Sequence, residues 1–258
     1  MSIDKGVSSV KKRRATYKKG KYMIKLVAFD LDGTLTQHKT KLSDSNRAVL
    51  DELSKKYRLL MVGAGTCKRI FEQMDRYPID VIGNYGMQFA RYDEESAAQC
   101  LERDTVLECE RESVAARIEE LRKKYGFTEY RGNSVEYHNS GCVTFPILGT
   151  EARQEDKLAF DPTRKKRRAI YKEVADTFPE YTVFVGGSSS FDMAPKPYNK
   201  YYALDLYARE MGYSHSEVVF VGDDYGIGGN DEPVYLSDFG FIKINDYRKL
   251  REAVAHLF

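Results

Sequence analysis

The sequence predicts an α/β fold, a doubly wound parallel sheet interrupted by an inserted α+β cap domain. Three observations carry that reading. Apolar runs of strand length alternate with helical patterns over residues 22–83. The pattern turns to helix-plus-hairpin grammar after about Tyr92, and the alternation returns from Lys200. Alternating strands and helices build parallel sheets, whereas segregated strands and helices mark α+β units. The division read from this is a basic leader over 1–20, a core over 21–91 and 195–258, and a cap over 92–194.

Taken in order, Tyr22 to Phe29 is a nearly continuous apolar run, as a central strand buried on both faces requires. Ser43 to Lys55 has Ala48, Val49, Leu50 and Leu53 at helical spacing, with Ser43 placed to cap the helix. Leu59 to Val62 reads as a second strand, Lys68 to Tyr77 as a helix and Asp80 to Gly83 as a third strand. In the insertion, Ser113 to Tyr125 carries Val114, Ile118 and Leu121 on one helical face. Val135 to His138 and Cys142 to Ile147 read as paired antiparallel strands, Arg168 to Phe178 as a helix and Tyr181 to Val185 as a strand. The last stretch predicts a helix over Tyr201 to Met211, strands over Val218 to Val221 and Phe239 to Ile244, and a closing helix over Tyr247 to Leu257.

Composition excludes several function classes. The 258 residues are 42% hydrophobic, enough for a sizeable core, and the formal net charge is only +2. The whole chain thus shows no electrostatic commitment to nucleic acid or to an acidic membrane. The four cysteines, Cys67, Cys100, Cys109 and Cys142, lack zinc-site spacing and read as reduced thiols of a cytoplasmic protein. No apolar run approaches the ~20 residues of a membrane-spanning helix, and the leader does not read as a signal peptide. The leader holds Lys11 to Arg14, Lys18, Lys19 and Lys21. It could serve as an arm for an anionic partner, but reads first as a solvated tail. Arg164-Lys165-Lys166-Arg167-Arg168 reads as an exposed helix face.

The chemistry gathers at strand ends. Asp30-Leu31-Asp32-Gly33-Thr34 follows the first apolar strand, and open α/β sheets bind ligands at the carboxyl ends of their strands. Two carboxylates two residues apart face the same way on a strand. One can then attack phosphorus while the other handles the leaving-group proton. Gly33 allows close backbone approach. Gly222-Asp223-Asp224 follows another apolar strand, and Asp231 follows Gly228-Gly229-Asn230. Carboxylates so placed suit Mg²⁺, which keeps several waters and shares oxygens with a phosphate.

With these motifs in order, the sequence resembles the haloacid dehalogenase superfamily with a type IIB cap. That resemblance implies Asp30 as nucleophile, Asp32 as general acid and base, and Lys200 as the cation that neutralises them. It implies Mg²⁺ held by Asp30, the backbone carbonyl of Asp32 and Asp223, with Asp231 as a further ligand or an orienting group. It also expects a hydroxyl after the second strand. Thr66 is the candidate, although it could equally cap the next helix, and the family's serine aligns with Gly65.

The segments 32–36, 186–187, 190–192, Lys200 and 228–231 narrow the resemblance to the eukaryotic-type phosphomannomutases. That family implies a sugar-phosphate substrate, bound by Gly33, Lys39, Arg131, His138, Lys157, Ser190 and Asp192. It leaves open a homodimer formed through the cap. His138, Lys157 and Lys39 stand where arginines are expected, and Arg153 is a substitute for a third after a one-residue shift. Lysine does not reproduce the bidentate grip of a guanidinium. Hydrolysis of a sugar phosphate is therefore the leading expectation. The alternative is a mutase working through a hexose 1,6-bisphosphate, and a non-catalytic binder is the third reading. His38, His215 and His256 read as surface residues.

Overall fold

The computed structural model describes residues 23–38 and 40–258. The basic leader and Lys39 lie outside the described residues. The core opens with β1 (Leu26–Phe29), α1 (Asp44–Ser54), β2 (Arg58–Val62), α2 (Cys67–Gln73) and β3 (Asp80–Gly83). It resumes with α6 (Lys200–Glu210), β10 (Val218–Gly222), α7 (Glu232–Tyr235), β11 (Gly240–Lys243) and α8 (Leu250–Ala253).

Between them come β4 (Gln88–Asp93), β5 (Ala98–Asp104), α3 (Arg111–Tyr125), β6 (Glu136–Tyr137) and β7 (Val143–Pro146). The stretch ends with α4 (Gln154–Phe160), α5 (Lys165–Thr177), β8 (Tyr181–Phe184) and β9 (Ser190–Pro195).

The large sheet runs β11-β10-β1-β2-β3-β4-β5. Its first five strands are parallel, and β4 and β5 add as an antiparallel hairpin. All four residues of β1 are buried, as a central strand covered by helices on both faces demands. On one face lie Val49, Leu50 and Leu53 of α1; on the other, Leu204, Tyr207 and Ala208 of α6. Burying a side chain of this size contributes roughly 1.5–3 kcal/mol. Ser43 caps α1 as expected, its hydroxyl accepting from the Asn46 amide at 3.3 Å.

From β1 the chain winds one way to β2 and β3, and the other half winds from β10 to β11 on the opposite side. The switch point is therefore the carboxyl-end crevice between β1 and β10. The cap is a four-stranded antiparallel sheet, β6-β7-β9-β8, with Val114, Ile118 and Leu121 of α3 and Val174 of α5 in its apolar core. Tyr85, Met87, Cys142, Phe184 and Ala194 form a smaller apolar cluster where cap meets core. There the rings of Tyr85 and Phe184 stack at 4.6 Å.

Three sequence expectations are corrected here, and two elements are added. The large sheet continues through residue 92, where the sequence reading starts the cap, and ends only at Asp104. β5 is almost wholly exposed, so backbone pairing holds it and no apolar period marks it. The short helix α4 buries no residue, and Ser190–Pro195 adds a strand to the cap that the apolar pattern did not signal. The closing helix breaks into a 3-10 turn, the single turn of α8 and a second 3-10 turn. The basic run 164–168 is no simple exposed face. Arg167 is 1% exposed, pairs with Asp161 at 3.2 Å and donates to the carbonyls of Gly186 and Ser190. A carboxylate takes up its Nε donor and carbonyls its Nη1 donors, which offsets part of the cost of burying a guanidinium at that depth.

Candidate active site at the β1/β10 switch point

Asp30 is the first residue beyond β1, and its amide donates to Val221 O at 3.0 Å, so β10 fixes its backbone. Gly33 turns the chain at φ +99°, a conformation that favours glycine. A Cβ there would stand 2.5 Å from Asp223 Oδ2, so the loop after β1 lies directly against the carboxylate that follows β10. Thr34 Oγ1 donates to that carboxylate at 3.3 Å. Gly33→Ala is expected to lose about 1–3 kcal/mol of stability through backbone strain and to push Asp223 aside. Thermal denaturation and Mg²⁺ titration of the purified variant check this.

Lys200, the first residue of α6, is fully buried with its Nζ inside the acidic cluster. It donates to Asp30 Oδ1 through a short bond, to Asp231 Oδ1 at 2.7 Å and to Asn230 Oδ1 at 3.0 Å. Asp231 is wholly buried, and its other oxygen accepts from the Asp224 amide at 3.0 Å. Both of its oxygens are thus engaged. Asn230, part of the Gly-Gly-Asn-Asp signal, adds a side-chain contact that the sequence reading did not assign.

Ligand oxygens of Asp30, Asp223 and Asp231 lie within 4.8 Å of one another. Three carboxylates share one ammonium, so the cluster carries surplus negative charge, and its donor set is all oxygen. That composition fits a hard divalent cation. Burial pushes Asp30 up to about 6, with Lys200 opposing and Asp231 and Asp32 reinforcing the rise. Burial and the charge of Asp30 push Asp223 up to about 8. Lys200 is held charged: burial opposes the ammonium, but Asp231 and Asp30 outweigh it and raise its pKa.

A pH dependence follows from these directions. Both carboxyls bind protons more tightly folded than unfolded, so their stabilisation is complete below the ordinary 3.8 and lost as pH climbs through about 6 and about 8. Melting temperatures in chelator are expected to fall between pH 5 and pH 8, less steeply for Asp223→Asn. Added Mg²⁺ should restore them at the upper end by binding the ionised cluster.

Asp32 sits at the mouth. Its Oδ1 accepts from Gln73 Nε2 at 2.6 Å, and its Oδ2 lies 3.7 Å from His38 Nδ1 and 3.8 Å from Arg69 Nη2. Gln73 also donates to Thr36 Oγ1 at 3.0 Å and accepts from Arg69 Nη1 at 2.9 Å. His38 is exposed, in keeping with its surface reading, and its ring stands beside Asp32. Arg69 and Gln73 are missed site neighbours, although their i, i+4 spacing on the helix after the second strand was an available signal. Thr66 caps α2, its Oγ1 accepting from the Arg69 amide at 3.2 Å, and the guanidinium of Arg69 fills the space beside Gly65.

The cap candidates fall into two groups. Ser190 Oγ and Thr144 Oγ1 donate to Asp192 Oδ1 at 3.3 Å and 3.2 Å, and His138 Nε2 lies 3.0 Å from Thr144 Oγ1. Burial pushes the Asp192 carboxyl up, with those hydroxyls and His138 opposing. Arg131 and Lys157 instead gather at the turn around residues 148–151, where the Arg131 amide donates to Leu148 O and Lys157 Nζ to Thr150 O at 2.9 Å. Arg153 is tied to Asp156 at 2.8 Å.

A family profile described as eukaryotic phosphomannomutase matches residues 46–241, which include the cap. A phosphomannomutase of Saccharomyces cerevisiae is 27% identical over 222 residues, covering 83% of this chain and 85% of the relative. One of Encephalitozoon cuniculi is 27% identical over 247 residues, covering 88% and 92%. Among solved structures, an IMP-nucleotidase of Plasmodium falciparum superposes with a TM-score of 0.64 at 15% identity, covering 91% of this chain and 68% of that one. A phosphatase of the haloalkanoate (HAD) superfamily from Bacteroides thetaiotaomicron superposes with a TM-score of 0.61 at 17% identity, covering 95% and 99%. At such identities these two establish the fold. That fold is a mostly parallel sheet with an inserted cap.

Hydrolysis as the leading expectation is corrected by the profile and the relatives, which favour the mutase alternative. The sequence reading gave the missing guanidiniums more weight than a likeness running through core and cap. On the profile match across residues 46–241, the chain belongs to the eukaryotic phosphomannomutase family.

Proposed function

We propose that the protein interconverts hexose 1- and 6-phosphates through a hexose 1,6-bisphosphate, using Asp30 as a phosphoryl carrier. The observation that carries the reading is the buried Asp30–Lys200–Asp231 chain at the switch point, in a chain of this family. Lys200 holds the Asp30 carboxylate in one orientation. An Asp30 oxygen attacks one phosphorus of the bisphosphate, the bond from that phosphorus to the sugar oxygen breaks, and Asp32 protonates the oxygen, leaving a hexose monophosphate. In the return step Asp32 takes the proton of the free 1- or 6-hydroxyl of a hexose monophosphate as its oxygen attacks the aspartyl-phosphate, the bond from phosphorus to Asp30 breaks and the bisphosphate forms again. Gln73, His38 and Arg69 keep Asp32 turned to the mouth, where the sugar oxygen arrives. Mg²⁺, held by Asp30, the Asp32 carbonyl and Asp223 and oriented through Asp231, would offset the charge of the transferring phosphoryl group.

Ser190 and Asp192 meet the sugar end, with Gly33 and Thr66 near the transferring phosphate. Arg131 and Lys157 supply positive charge for the remote phosphate, while His138 stands with Thr144 at the sugar end. The four free cysteines suit a reducing cytoplasm.

The test is a product assay with Mg²⁺ and a panel of hexose 1- and 6-phosphates, with and without a hexose 1,6-bisphosphate. Isomer formation stimulated by the bisphosphate is expected. Stoichiometric release of inorganic phosphate, with no isomer formed under either condition, would refute the mutase reading.

A further inference from the structure

The basic run that opens α5 reaches across from cap to core. Asp224, the neighbour of Asp223, is 7% exposed and takes one guanidinium on each oxygen. Arg164 Nη1 lies 2.5 Å from its Oδ2, and Arg168 Nη2 donates to its Oδ1 at 3.0 Å. Further contacts surround this clamp. Val185 N of the cap donates to Gly228 O at 2.7 Å. A Cβ at Gly228 would stand 2.7 Å from the ring of Tyr171, and one at Gly226 would stand 2.8 Å from the Arg168 guanidinium. Those glycines let the loop between β10 and α7 lie flat against α5.

The clamp reaches the reacting centre through few bonds. Asp224 donates its amide to Asp231 Oδ2 at 3.0 Å and accepts from the Asp231 amide at 3.1 Å. Asp231 in turn holds Lys200, and Lys200 holds Asp30. Two cap arginines thus bear on the loop that carries Asp223 and Asp231.

We propose that Arg164, Arg168 and Asp224 are positioning residues that lock the cap onto this loop and set where the phosphoryl group goes. This rests on the mutase reading above. From the aspartyl-phosphate, the bond between phosphorus and the Asp30 oxygen breaks and a new one forms to an incoming oxygen, whose proton passes to Asp32. A sugar hydroxyl as acceptor gives the isomer cycle; water gives inorganic phosphate. A cap held shut excludes water while the sugar is retained. The bridges span two sheets and are half-shielded, so they add to cap closure more than isolated surface pairs do.

The test compares the full-length protein with Arg164→Gln/Arg168→Gln and Arg164→Lys/Arg168→Lys. Two readouts are taken: phosphate released per isomer formed, and hydrogen exchange of peptides spanning 222–235. In the glutamine variant exchange in that loop is expected to quicken about tenfold while β1 and β2 stay protected. Phosphate released per isomer should rise by a similar factor, and the lysine variant should recover most of both. Unchanged loop exchange in the glutamine variant would overturn the clamp. Loosened exchange with an unchanged partition would overturn its role in acceptor choice. If the double variant does not fold, Arg168→Gln alone carries the same readouts. A wild type that forms no isomer refutes the mutase reading, while the exchange experiment still decides the clamp.

Discussion

Asp30→Asn is expected to abolish phosphoryl transfer and leave the fold intact. Replacing a nucleophile usually removes roughly 10⁴–10⁶ of the rate, because the covalent route has no substitute. The amide keeps the shape of the carboxylate, and Lys200 keeps Asp231 at 2.7 Å and Asn230 at 3.0 Å as acceptors. Burial already disfavours the charged form of Asp30, whose pKa is pushed up to about 6. Neutralising it should therefore leave the melting temperature in chelator at pH 7–8 equal to or above that of the wild type. Mass spectrometry after incubation with a hexose 1,6-bisphosphate should find no phosphoenzyme. Near-normal turnover by the variant would remove Asp30 from the mechanism.

Lys200→Met should strike stability and activity together. The ammonium is fully buried and serves both Asp30 and Asp231. Its removal leaves Asp231, itself wholly buried, without its counter-charge. Breaking a buried pair by deleting one partner typically costs about 3–5 kcal/mol, since the remaining charge is stranded. Urea denaturation in chelator should show a loss of that order. Adding Asp231→Asn should recover much of it, because the stranded charge goes too, and the double-mutant cycle measures the coupling. Activity should not return in the double variant, since Asp30 would still lack its cation. A Lys200→Met protein as stable as wild type would mean that water or relaxation, rather than the ammonium, compensates the cluster.

Much of this arrangement follows from sequence because short-range patterns record burial. The apolar run before Asp30 reads as a strand covered on both faces, so Asp30 and Asp32 are expected at the carboxyl end of the sheet. The same logic puts Asp223 at the end of β10, and Ser43 starts α1 where its hydroxyl can cap. The order of the acidic and basic signals then suffices for the family resemblance. The choice between water and sugar as acceptor was not legible that way. It was weighed on single cap side chains, whereas relatives matching through core and cap pointed to the mutase.

Other features were set by the tertiary structure alone. The exposed strand β5 has no apolar period, because its partner strand and not the core holds it. Gln73 meets Asp32 only because α2 packs beside the loop after β1. The pairing of Arg168 with Asp224 joins residues 56 apart, in different sheets' neighbourhoods. A charge in a helix reads the same in sequence whether it faces water or a carboxylate across the molecule. Apolar periodicity reports which face a segment buries; which polar groups meet is decided by how the segments pack, and only the folded chain contains that information.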